Sequence, residues 1–87
     1  MIKIGYTPAF SRQFKKLEDA LAQEVVEKID LFKDLKNHDI LKVHKLNGRL
    51  KDRYSFSVNY KIRIVFHYVS KTQVILVAVG DHEVYNN

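Results

Sequence analysis

Eighty-seven residues without a cysteine leave room for one domain, and exclude a disulfide framework, a thiolate metal site and a thiol nucleophile. Hydrophobic residues at 46% against 29% charged ones describe a globular chain, and no apolar run approaches the length of a bilayer span. The net charge of +5 is unevenly laid out: residues 1–17 hold four cations and no acid, residues 18–39 seven acids against three lysines, and residues 40–63 seven cations against Asp52 alone. A field concentrated in that last segment attracts polyanions. The opening Met1-Ile2-Lys3-Ile4-Gly5-Tyr6 has no signal-peptide core, so cytoplasmic residence is expected.

Ile2, Ile4 and Tyr6 alternate with Lys3 and Gly5, which predicts a first strand with one buried face. Thr7 can cap a helix and Pro8 suits its first position; Phe10, Phe14, Leu17 and Leu21 follow at helical spacing. Asp19 can cap a second helix with Leu21, Val25, Ile29, Phe32 and Leu35 on its apolar face. The two patterns fit either an antiparallel pair or one long helix bent near residues 17–19. Lys36-Asn37-His38-Asp39 is polar and ends them. Residues 40–52 read as a linker with one fixed point, the turn dipeptide Asn47-Gly48.

Three strand patterns follow. Residues 53–58 place Tyr54, Phe56 and Val58 on one face and Arg53, Ser55 and Ser57 on the other, and Asn59-Tyr60 makes a short turn or bulge. Residues 61–69 turn Ile62, Ile64, Phe66 and Tyr68 inward and Lys61, Arg63, Val65 and His67 outward. Beyond Ser70-Lys71-Thr72, residues 73–79 are apolar on both faces, as in an interior strand. The expected architecture is α+β with the order β-α-α-β-β-β: two N-terminal helices packed on one face of a mainly antiparallel sheet, in a single domain over residues 1–87. The other face is then partly uncovered and carries Arg53, Ser57, Lys61 and Arg63, a basic surface able to seat nucleic acid.

Four stretches together carry a resemblance. They are Tyr6-Thr7-Pro8-Ala9-Phe10 before the helices, His44-Lys45-Leu46-Asn47-Gly48 before the second strand, Tyr54-Ser55-Phe56-Ser57-Val58 with Tyr60-Lys61-Ile62-Arg63-Ile64-Val65-Phe66, and Gly80-Asp81-His82-Glu83-Val84-Tyr85. In this order and at this length the chain resembles the RelE/ParE superfamily of toxins from type II toxin–antitoxin systems, in its RelE/StbE-like branch. The resemblance implies a compact toxin, monomeric when free, that a cognate antitoxin wraps in a higher-order complex. It also implies an endoribonuclease (an mRNA interferase) that enters the ribosome and cuts mRNA without a metal or cofactor, inhibiting translation. ParE-like members instead poison DNA gyrase, and a degenerate member would only bind a partner, so the fold alone does not choose the target.

Metal-free RNA cleavage uses the adjacent 2′-OH as nucleophile. It needs a base for that hydroxyl, a cation for the phosphate and an acid for the leaving oxygen. Arg63 is the first choice for the phosphate, being always charged and offering a planar fork; the resemblance puts it on the arginine that nuclease relatives use. His82 is the candidate acid or base, matching a C-terminal histidine of several relatives. Asp81 and Glu83 beside it favour an acid role by raising its pKa, but also repel RNA. Tyr85 matches the family's C-terminal aromatic, to stack on a base or orient a phosphate, and His44 resembles a histidine that one relative group uses as base. Lys45, Arg49, Lys51, Arg53 and Lys61 are the expected RNA-backbone contacts. His38 and His67 read as structural or surface residues, and Phe10, Phe14, Phe32, Phe56 and Phe66 as core. The chain departs from the pattern where some relatives carry a second-strand histidine and a following carboxylate: Ser57 and Tyr60-Lys61 stand there. It also has no counterpart to the linker glutamate that others use as base.

Overall fold

The computed structural model describes residues 1–48 and 52–86, apart from the side chains of His82 and Asn86. Strand β1, Lys3–Tyr6, leads into helix α1, Pro8–Lys15. The Thr7 hydroxyl accepts the Phe10 N–H at 3.1 Å, and Pro8, which has no N–H to satisfy, opens the helix. The chain leaves helical geometry at residues 16–18 and re-enters it in α2, Asp19–Phe32, so the choice between a helix pair and one bent helix resolves to two helices. Glu18, not Asp19, takes the N-cap position, and its side chain makes no capping bond; Asp19 sits one residue later, where its charge faces the positive end of the helix dipole. Val25 and Phe32 of the expected apolar face are buried and Leu21 and Ile29 pack at their edges. Leu35 falls past the helix in a 3-10 turn, Leu35–Asn37, and is 67% exposed.

The sheet has five strands in the order β1-β5-β4-β3-β2, with β2 at His44–Lys45, β3 at Tyr54–Ser57, β4 at Arg63–Ser70 and β5 at Gln73–Gly80. β1 runs parallel to β5 and every other pair is antiparallel. The order is thus the expected one with a two-residue strand added inside the presumed linker. That strand exists only through its pairing with β3, His44 opposite Ser55 and Lys45 opposite Tyr54. Gly48 turns the chain with φ 71°, a conformation that favours glycine.

β5 is an interior strand, as its two apolar faces require. Thr7 fixes the helices to it: its N–H donates to the Leu76 carbonyl at 3.0 Å and its hydroxyl to the Val77 carbonyl at 3.1 Å. The Val79 N–H donates to Gln13 Oε1 of α1 at 2.8 Å. Between helices and sheet, Phe32 is the centre of the core. Its ring stacks on Phe56 at 4.5 Å and on His38 at 4.6 Å, both nearly parallel, and meets the Phe66 ring at 4.8 Å edge-on. His38 is therefore structural, its Nε2 2.8 Å from the Phe32 carbonyl at the end of α2.

The face away from the helices is less open than strand parity alone suggests. A 3-10 turn, His82–Asn86, folds back across it, and Val84 buries against Val65 and Ala78, with Leu46, Val77 and Tyr85 around them. A Cβ at Gly80 would lie 3.0 Å from Val84 Cγ1, so a glycine there lets the turn come down close to the sheet. Tyr6 also departs from its expected place, staying 64% exposed beside the Phe10 ring.

Candidate functional site

Strand register lines up two rows of residues on the face covered by the C-terminal turn. One row is Ser57, Arg63 and Gly80; the next is His44, Ser55, Val65 and Ala78. Directly opposed residues share a face, and neighbouring rows are about 7 Å apart, two residues along a strand. Arg63, His44 and the C-terminal turn thus meet on one side of the sheet. Tyr85 reaches across the second row, its hydroxyl 2.9 Å from Ser55 Oγ, and Ser55 is fully buried beneath it. His82 begins the turn two residues after Gly80, which lies opposite Arg63; its backbone is the part of it described. Asp81 shapes that turn, its carboxylate accepting the Glu83 N–H at 3.1 Å and its carbonyl the Val84 N–H at 3.1 Å.

Arg63 opens β4 half-buried, and its guanidinium folds back onto the β3–β4 turn. Nη1 donates to the Asn59 carbonyl at 2.6 Å and to the Ile62 carbonyl at 3.3 Å. No carboxylate pairs with it among the described residues, so the N–H groups on Nε and Nη2 keep their capacity for an anion. His44 is exposed, with Nδ1 2.9 Å from the Lys42 carbonyl. A carbonyl can only accept, so Nδ1 carries the proton, and in the neutral ring Nε2 is then the basic nitrogen. Lys42 itself is held at φ 59°, an uncommon conformation for a residue with a side chain.

Of the expected RNA-backbone cations, the described Lys45, Arg53 and Lys61 stand on different segments. Lys45 lies opposite Tyr54 and emerges on the helix side of the sheet, away from His44. Arg53 is half-buried just before β3, its carbonyl accepting the Leu46 N–H at 2.9 Å. Lys61 stands exposed in the β3–β4 turn, outside the strand that parity assigned it. Arg49 and Lys51 lie outside the described residues. His67 stands on the same face as Arg63, two rows along and half-buried.

Two residues of this region carry no motif signal. Ser55 reads as one polar position in an alternating strand, but its hydroxyl is the buried partner of Tyr85. Asn59 reads as a turn former, yet it ties the turn to a helix: its Nδ2 donates to Glu24 Oε1 at 2.8 Å, while its Oδ1 accepts the Lys61 N–H at 2.9 Å and the Ile62 N–H at 2.8 Å. Neither partner is close in sequence, and only the fold brings them together.

On the opposite side of the molecule, α1, α2 and β1 flank an apolar groove of about 490 Å³ lined by Tyr6, Phe10, Phe14, Val26, Ile29 and Leu76, with Lys15 and Lys33 among its polar lining residues. No helix among the described residues is long and apolar enough to cross a membrane.

This arrangement of two helices against a five-stranded mixed sheet is shared with solved structures that include toxins of toxin–antitoxin complexes. It superposes on the conserved hypothetical protein HP0894 of Helicobacter pylori with a TM-score of 0.73, at 20% identity over 95% of this chain and 97% of that one. The toxin–antitoxin complex RelBE2 of Mycobacterium tuberculosis gives 0.74 at 21% identity, over 93% and 98% of the two chains. YafQ of Escherichia coli gives 0.71 at 14% identity over the full length of both. By sequence, no model of a known protein family and no curated protein matches the chain.

Proposed function

We propose that this protein is the toxin of a type II toxin–antitoxin pair and that it cleaves ribosome-bound mRNA through the 2′-OH of the substrate. The observation that carries the reading is Arg63: a permanent cation, fixed by two backbone carbonyls and without a carboxylate partner among the described residues, on the sheet face that the turn beginning at His82 folds across. A guanidinium held in advance loses little freedom when it meets a phosphate, and phosphoryl transfer depends chiefly on such positioning and charge. Arg63 then stabilises the charge that grows on the phosphate. His44, with Nε2 as its basic nitrogen, takes the 2′-OH proton, and His82 protonates the leaving 5′-oxygen. Tyr85 orients a phosphate or base from the roof of the site. Lys61 and Arg53, with Arg49, Lys51 and Lys45, attract the RNA backbone. A cognate antitoxin would cover this face and lay an apolar segment in the groove between α1, α2 and β1, where Lys15 favours an acidic partner.

Induced expression in a bacterial host, followed by mapping of mRNA 5′ ends, tests the reading. The wild-type protein should arrest growth and generate new 5′ ends within translated codons, and Arg63→Ala should abolish both. Arrest with intact transcripts would overturn the nuclease reading, and arrest accompanied by DNA breaks would replace it with gyrase poisoning.

A further inference from the structure

The β3–β4 turn holds an aromatic ring that the fold does not use. Tyr60 is 94% exposed, so its ring contributes almost nothing to the core, yet the backbone that carries it is pinned from several directions. The Val58 N–H donates to the Ile62 carbonyl at 2.9 Å and closes the turn, and Asn59 Oδ1 accepts the Lys61 and Ile62 amides from inside it. Asn59 Nδ2 anchors the whole turn to Glu24 of α2. A surface turn serving only to reverse the chain needs neither the ring nor the anchor.

The position of Arg63 gives the ring a meaning. Its Nη1 donates to the Asn59 carbonyl, the acyl half of the peptide bond that leads into Tyr60. The phosphate-binding fork and the exposed ring are therefore presented by the same few backbone atoms, with Lys61 exposed beside them. A cation for phosphate next to an aromatic face for a base is the pairing by which proteins hold single-stranded nucleic acid, and tyrosine has few rotatable bonds to freeze on contact. We infer that Tyr60 is the stacking platform for a base of the single-stranded RNA whose phosphate Arg63 holds, and that Asn59 is the positioning residue for both. The inference rests on the RNA reading given above and adds a base contact outside the roof that Tyr85 forms.

The test is the affinity of the folded protein for a short, labelled single-stranded oligoribonucleotide at fixed low salt, measured by fluorescence anisotropy. Tyr60→Ala should weaken binding roughly tenfold and Tyr60→Phe by less than about twofold, because the ring face and not the hydroxyl makes the contact. An otherwise identical oligomer of abasic residues should bind wild type and Tyr60→Ala alike. Arg63→Ala should instead lower the salt dependence of binding by about one ion, which Tyr60→Ala leaves unchanged. Asn59→Ala should weaken binding to the oligoribonucleotide while Tyr60 and Arg63 remain in place. Wild-type affinity in Tyr60→Ala alongside weakened binding in Arg63→Ala overturns this inference and leaves the RNA reading standing. An equal loss by Tyr60→Ala on the abasic oligomer overturns stacking. If neither substitution changes binding, or the wild-type protein does not bind, both readings fall.

Discussion

Replacing Tyr85 by phenylalanine removes one oxygen from the roof of the site, and the cost can be worked from its partner. Ser55 Oγ lies 2.9 Å from the Tyr85 hydroxyl and is entirely shielded from solvent. Tyr85→Phe therefore leaves a buried hydroxyl without that partner, which costs about 1–3 kcal/mol. Ser55→Ala should cost less, about 1 kcal/mol, because the half-buried Tyr85 can turn its hydroxyl toward water. The double variant removes both oxygens together and should be more stable than the two single losses added, by about 1 kcal/mol. A domain of this length is held by only about 4–13 kcal/mol, so the effect of Tyr85→Phe alone is a sizeable fraction of the total. Equilibrium unfolding in urea reads it directly: with a slope near 1 kcal/mol per molar, the Tyr85→Phe midpoint should fall by roughly 1–3 M at constant slope. Equal midpoints for Tyr85→Phe and wild type, or losses that simply add in the double variant, would refute the reasoning.

Three further outcomes follow from the geometry. Lys42→Gly should raise stability by about 0.5–1 kcal/mol, since φ 59° is strained for lysine and natural for glycine, whereas Lys42→Ala should change it by only a few tenths; thermal melts of the two variants separate the cases. Phe32→Ala should cost about 3–5 kcal/mol, a large share of what holds the domain, and melt far earlier than wild type by circular dichroism, while Phe32→Leu should lose less. Burial, and next the proximity of Tyr54, push the Tyr68 phenol above its usual range. The folded state therefore keeps that proton longer than the unfolded one, so its contribution is intact below about pH 10 and is lost as pH rises through the folded value. Urea midpoints between about pH 9 and pH 11 should fall less steeply for Tyr68→Phe than for wild type.

What could be read from the chain is what depends on neighbours in sequence. Thr7-Pro8 announces a helix because cap and first-turn chemistry are local, and Phe56, Ile64 and Phe66 announce buried strand faces because alternation has a fixed period. β2 could not be read, since two residues have no period and His44 and Lys45 become strand only when β3 is beside them. The cover over the second sheet face was equally hidden. Gly80-Asp81-His82-Glu83-Val84-Tyr85 shows no amphipathic pattern, and only Val65 and Ala78, apolar where parity predicted an open surface, hinted that something lies over them. The sheet face on which Arg63 stands was legible from strand parity, whereas the Glu24–Asn59 tie joins segments 35 residues apart and leaves no trace in spacing.

The parallel pairing of β1 with β5 has a consequence for the order of events during synthesis. β1 is made first among the described strands, but the strand it pairs with, some seventy residues later, is made last. Until β5 emerges, Thr7 and Gln13 lack the β5 backbone groups that hold α1 to the sheet, and the core around Phe10 stays incomplete. The sheet is thus zipped shut by its final strand. Under the proposed activity, a chain still lacking β5 has neither the Gly80 row opposite Arg63 nor the C-terminal turn over that sheet face, so the site is completed only with the last strand.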